Sequence, residues 1–188
     1  RNDRYIDVTG QSFRDFMVGK LRGLEGETPT RGDWINHLTT IFPEARLKNY
    51  IEMRGADGGP WARICALPAF WVGLLYDQSS LDAAWDLVKD WTEAERQDLR
   101  YAVARMGLDT PFRDGTLLDI GRRALEISYA GLKARAKGDG AGSTDETIFL
   151  DVVNEVISSG KAPADVMLDA FNGKWGGSVD PVFKEYAF

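Results

Sequence analysis

Arg46-Leu47-Lys48-Asn49-Tyr50-Ile51-Glu52-Met53-Arg54 alternates with a period of two, and Gly55-Ala56-Asp57-Gly58-Gly59-Pro60 follows it. Leu47, Asn49, Ile51 and Met53 share one face of an extended segment, and Lys48, Tyr50, Glu52 and Arg54 share the other. The spacing predicts one strand from Arg46 to Arg54, closed by a loop too rich in glycine for a helix. Glu52 and Arg54 carry opposite charges two residues apart, so they point the same way. Facing solvent, they are a surface ion pair worth about 0–1 kcal/mol. Facing a concave sheet, they suit a divalent cation beside a phosphate, because a carboxylate ligates Mg²⁺ through oxygen and a guanidinium forks onto phosphate oxygens. Gly55, Gly58 and Gly59 permit close backbone approach to a ligand, or simply turn the chain. The loop has neither the ending of a Walker loop nor the spacing of a dinucleotide fingerprint.

Upstream, Tyr5-Ile6-Asp7-Val8-Thr9 reads as an alternating strand closed by Gly10. A strand needs a neighbour for its backbone groups, and the chain offers few others. The expectation is therefore the C-terminal part of a longer protein whose sheet is mostly elsewhere. Ser12 can cap a helix to about Lys20, and Thr30 or Asp33 a second to about Ile41, before Pro43. Downstream the chain is helical. The apolar segment Ile64 to Tyr76 is shorter than the roughly 20 residues that a bilayer span needs. It holds Pro68 and reads as two buried helical pieces jointed there. Ser79 or Ser80 caps a helix with Leu81, Ala84, Trp85, Val88 and Trp91 in a core stripe. Thr92 and Glu95 form a capping box for a helix ending near Gly107. A long helix follows from about Thr116 to Lys137, then a loop from Gly138 to Gly142. Asp145 to Ser159 is helical, with Ile148, Phe149, Val152 and Val156 inward, and Gly160 stops it. Pro163 opens another helix, which Asn172-Gly173 closes.

The 188 residues carry 23 Lys+Arg against 29 Asp+Glu, a net charge of −6, and are 44% hydrophobic. That is enough apolar content for a core, and the acidic balance argues against nucleic acid or an anionic membrane surface. One cysteine, Cys65, excludes an internal disulfide framework, and one histidine, His37, excludes a His cluster for a metal. A reducing, cytoplasmic location is the natural expectation. Cys65 lies in an apolar run and reads as an inert thiol. His37, in mid-helix, reads as a polar packing contact.

Several long strings resemble the plant and proteobacterial type of glutamate–cysteine ligase. They are Asn36-His37-Leu38-Thr39-Thr40-Ile41-Phe42-Pro43-Glu44, the run from Tyr50 to Trp61, Cys65-Ala66-Leu67-Pro68-Ala69-Phe70-Trp71, Thr110-Pro111-Phe112-Arg113-Asp114-Gly115, and Ser178-Val179-Asp180-Pro181-Val182-Phe183. The resemblance covers essentially the whole chain. It implies an α+β, mainly α-helical chain: the C-terminal part of a glutamine-synthetase-like fold, with a few antiparallel strands of a larger catalytic cradle. Residues 1–61 would be the strand-containing active-site part and 62–188 the helical part of one catalytic domain.

The resemblance also implies the first step of glutathione biosynthesis. ATP phosphorylates the γ-carboxylate of L-glutamate, and the L-cysteine amine displaces phosphate. Glu52 would be a Mg²⁺ ligand. Arg54 would be catalytic, contacting substrate and stabilising the transferred phosphate. Asp57 and Trp61, with Gly58 and Gly59, would shape the edge of the same site. Other carboxylates for Mg²⁺–ATP, and the missing N-terminal part of the enzyme, would precede Arg1, so the 188 residues alone are expected to turn over little. A homodimer is one assembly that this reading admits. Two departures stand out: Gly23 occupies the position of a cysteine in plant relatives, and Ala62 that of a second arginine beside Arg63. Cys65 matches a cysteine that joins a regulatory disulfide in plant relatives. The rival reading is a non-catalytic helical scaffold or interaction module, since much of the chain shows only caps and core stripes.

Overall fold

The computed structural model describes residues 4–138, 142 and 144–187. Among these the chain is mainly helical, with two small antiparallel two-stranded sheets. It divides into two compact units, Arg1–Ala56 and Asp57–Phe188.

In the first unit Ser12 caps helix α1 (Phe13–Met17) by accepting from the Arg14 amide. Gly10 turns the chain with φ +75°. The segment from Tyr5 to Thr9 is not a strand, contrary to expectation: no described strand pairs with it, and the Tyr5 side chain is fully exposed. Alternation alone does not hold a segment extended when its backbone groups have no partner. Helix α2 (Arg31–Thr39) opens with a reciprocal box: the Asp33 amide donates to Thr30 Oγ1, and the Thr30 amide donates to Asp33 Oδ2. His37 stacks on Phe13 with ring centroids 4.5 Å apart, which is the packing role expected of it.

The predicted single strand is a hairpin. Strand β1 (Ala45–Leu47) pairs with β2 (Ile51–Met53) in the register Ala45 to Met53, Arg46 to Glu52, Leu47 to Ile51. Lys48, Asn49 and Tyr50 make the turn, in which the Lys48 amide donates to the Tyr50 carbonyl. Beyond the ladder, the Arg54 amide donates to the Glu44 carbonyl at 2.8 Å.

The second unit is built on helix α3 (Trp61–Leu75) crossing helix α6 (Leu117–Arg135). α3 is one continuous helix through Pro68, and not the two pieces expected. Proline removes one donor and crowds the preceding turn, but the packing of Ala66, Ala69, Gly73 and Leu74, all buried, holds the helix together. Ala69, Leu125, Leu132 and Leu150 form the core, with Phe70, Val72, Tyr129, Val153 and Ile157 around them. Where the two helices meet, their backbones touch. A Cβ on Gly131 would stand 1.8 Å from the Gly73 carbonyl oxygen, and one on Gly73 2.3 Å from the Ser128 carbonyl oxygen. Ser128, fully buried, donates its hydroxyl to the Phe70 carbonyl at 2.9 Å.

Helix α4 (Gln78–Val88) is capped by Asp77, whose carboxylate accepts from the Ser80 amide, and not by either serine. Its expected core stripe is largely exposed: Leu81, Trp85 and Val88 all face outward. Helix α5 (Glu93–Met106) has the expected Thr92–Glu95 box and ends at Gly107. A small hairpin of β3 (Pro111–Phe112) and β4 (Gly115–Thr116), not foreseen, leads into α6. A 3₁₀ turn at Thr147–Leu150 precedes helix α7 (Asp151–Ser159). Ile148 and Phe149 are exposed there, whereas Val152 and Val156 are half-buried. The Gly138–Gly142 loop lies largely outside the described residues. Helix α8 (Pro163–Asn172) and the short α9 (Val182–Glu185) close the chain, with Trp175 buried and its indole N–H donating to Glu185.

Two outcomes follow from this unit. Gly131→Ala forces a methyl into backbone and should cost stability at the upper end of about 1–3 kcal/mol, read as a lower urea midpoint; an unchanged midpoint refutes the close crossing. Arg113, at the tip of the β3–β4 hairpin with φ +50°, donates from Nε to Glu95 at 2.8 Å and from a terminal nitrogen to the Asp90 carbonyl. The Arg113 guanidinium, with the Thr92 amide, lowers the Glu95 carboxyl to about 2 from 4.5. A carboxylate depressed in the fold contributes fully above its unfolded value, and the contribution is lost as pH falls through about 2. Arg113→Gln should raise the Glu95 pKa toward its ordinary value in a carboxyl-carbon NMR titration, shrinking the contribution that acid removes.

Candidate functional site

Hairpin parity builds the site. With Arg46 opposite Glu52, the polar face carries Glu44, Arg46, Lys48, Tyr50, Glu52 and Arg54, and the apolar face Leu47, Ile51 and the half-buried Met53. The burial is the reverse of the usual half-buried strand. Leu47 is 81% and Ile51 65% exposed, whereas the Glu52 side chain is only 32% exposed and Arg54 is half-buried. Glu52 and Arg54 therefore do not simply trail into bulk water, yet Ile51 is not the packing residue that alternation predicted.

The first partner of Glu52 is not Arg54. Arg46 Nε donates to Glu52 Oε2 at 2.7 Å across the strand pair. This bond, reinforced by the charges of Arg46, Lys48 and Arg54, holds the Glu52 carboxyl below the usual glutamate range, so it is ionised at neutral pH. Arg54 places its guanidinium 5.8 Å from the centre of the Phe42 ring, a cation–π contact that orients it. Lys48 stands over Tyr50 at 5.8 Å. Sequence reasoning paired Glu52 with its neighbour on the same strand and passed over Arg46. The signal was available: a three-residue turn at Lys48–Tyr50 preserves parity, so residues 46 and 52 face each other.

A cavity of about 690 Å³ opens in the same unit beside α1 and α2, lined by Phe13, Phe16, Leu21, Leu24, Asn36 and His37 among others, and neither Glu52 nor Arg54 lines it. In the second unit, Asp57 and Trp61 are exposed, Trp61 to 77%. Gly58 has no positive φ, and a Cβ there would meet nothing within 4 Å, so neither strain nor packing requires a glycine. Gly59 is different, since a Cβ would come within 3.2 Å of the Arg63 stem. Cys65 is a free thiol, half-buried on α3.

A magnesium ion takes six oxygens in near-octahedral array. Among the described residues no three His, Cys, Asp or Glu side chains group to hold a metal. Glu52 fits as one ligand: it is ionised, and Arg46 occupies only one of its two oxygens. The remaining positions would belong to water, to phosphate oxygens, or to other carboxylates.

Residues 4–185 match Glutamate-cysteine ligase family 2 (GCS2). The chain is 55% identical over its whole length to a chloroplastic glutamate–cysteine ligase of Arabidopsis thaliana, covering 35% of that protein. It is 56% identical to glutamate–cysteine ligase A of Oryza sativa subsp. indica, covering 37%, and 53% identical to the enzyme of Solanum lycopersicum, covering 35%. The chain thus spans about a third of the length of these curated relatives. All three are chloroplastic by name, which overturns the cytoplasmic expectation. A single cysteine speaks to the redox state of a compartment and not to which compartment it is. With the match running almost from end to end, the chain belongs to glutamate–cysteine ligase family 2.

Proposed function

We propose that this chain supplies part of the active site of an ATP-dependent ligase that joins the γ-carboxylate of glutamate to the amine of cysteine. The observation that carries the reading is an ionised Glu52 beside Arg54 on one half-protected hairpin face, in a chain of this family. In the reaction, a γ-carboxylate oxygen bonds to the terminal phosphorus of ATP as the bond to ADP breaks. The cysteine amine then bonds to the acyl carbon, phosphate leaves with the electron pair, and the amine gives up a proton.

Glu52 would hold Mg²⁺, which when bound neutralises charge on the phosphate oxygens. Arg54 carries no proton in either step. Its planar fork, held by Phe42, is suited to accept the growing charge on the transferring phosphoryl group. In the second unit, Asp57 offers an exposed carboxylate, Gly58 room for close approach and Trp61 an exposed aromatic surface, features suited to substrate contact.

The test is phosphate release by the natural protein that carries these residues, measured as a function of ATP, glutamate and cysteine. Release that requires all three supports the reading, and its absence refutes it. Glu52→Ala should reduce Mg²⁺-dependent turnover by roughly 100-fold or more while leaving the unfolding midpoint near that of the parent. Unchanged turnover would favour the scaffold reading. Arg54→Lys keeps the charge and loses the fork, so turnover should fall by about 100-fold with little change in stability. Near-normal turnover would make Arg54 structural.

A further inference from the structure

We infer that Arg46 is a further phosphate-binding residue of this site, resting on the reading of Glu52 and Arg54 just proposed. Three observations converge on it. First, the register fixes Arg46 directly opposite Glu52 on the polar face of the hairpin, so both strands contribute to one surface. Second, the guanidinium uses only Nε on Glu52. Its two terminal nitrogens make no hydrogen bond among the described residues. A guanidinium held through Nε presents its outer N–H groups as a pair, the arrangement that meets two oxygens of a phosphate.

Third, the charge on the face is unbalanced. Arg46, Lys48 and Arg54 stand against two carboxylates, Glu52 and Glu44, the latter opposite Arg54 one step beyond the ladder. A bare divalent cation would meet more repulsion than attraction there. A metal-bound polyphosphate would not, since its excess negative charge matches the excess positive charge of the face. Of the three cations, Lys48 sits at the exposed turn over Tyr50 and Arg54 lies against Phe42, so Arg46 is the one fixed beside the carboxylate itself. The alternative is an ordinary cross-strand ion pair, with side chains 40% and 32% exposed. Such a pair contributes little to stability and nothing to nucleotide affinity.

Calorimetric titration of ADP into the natural protein separates the two, with and without Mg²⁺. It is run on the parent, Arg46→Gln, Arg46→Lys and Glu52→Ala, together with KM for ATP and kcat. Arg46→Gln should weaken ADP about tenfold or more without Mg²⁺ and raise KM for ATP by a similar factor at saturating Mg²⁺, with a smaller effect on kcat. Arg46→Lys should fall between it and the parent. Glu52→Ala should instead abolish the Mg²⁺-dependent part. If Arg46→Gln binds ADP within twofold of the parent while Glu52→Ala loses its Mg²⁺ dependence, Arg46 is only an ion pair and the inference fails alone. If Glu52→Ala keeps full Mg²⁺ dependence, the underlying reading fails with it. Should Arg46→Gln not fold, Arg46→Lys decides: intermediate ADP affinity supports the inference, and parental affinity overturns it.

Discussion

The contact on which the second unit depends is backbone against backbone, where Gly131 of α6 meets Gly73 of α3. Two helices approach this closely only when neither has a side chain at the crossing. The reward is close packing of whole helix surfaces, and interiors gain much of their cohesion from many such short contacts. Ser128 completes the crossing by donating to the Phe70 carbonyl, so the hydroxyl that close approach traps is not left unsatisfied. Leu125 and Leu132 on α6 then reach the core that Ala69 and Leu150 share. The same crossing accounts for Pro68. A helix clamped along one side by Ala66, Ala69, Gly73 and Leu74 keeps its course despite one missing donor.

The first unit obeys a different constraint. Its hairpin is short, and the pair that spans it at mid-ladder is ionic, with Arg46 on Glu52. The side chains that an isolated sheet would ordinarily bury, Leu47 and Ile51, face outward. On the charged face Arg46, Glu52 and Arg54 are half-buried, as is Met53 on the other.

Much of the helical architecture is legible in the sequence because its signals are local. The Thr30 cap, the Thr92–Glu95 box, Gly107, Gly160, Pro163 and Gly173 all act within a few residues of where they stand. The failures are tertiary. Periodicity told which residues share a face with Trp85, and not whether anything covers that face. Tyr5 to Thr9 has the alternation of a strand and no described partner to pair with. The turn at Lys48-Asn49-Tyr50 has no glycine or proline to announce it, so one alternating run concealed two strands. Glu52 and Arg54 still share a face as expected, since parity along one strand survives that error. Arg46 was hidden by it, because its relation to Glu52 exists only across the turn.

The outward Leu47 and Ile51 have a consequence for anyone engineering this segment by itself. Directed selection for solubility would replace them early, since both are exposed and hydrophilic residues there leave the backbone ladder and the Arg46–Glu52 pair in place. Such a library would be graded on the side of the ribbon away from the ionic pair. The best-behaved clones would then carry no information about whether the ribbon's chemistry had been preserved.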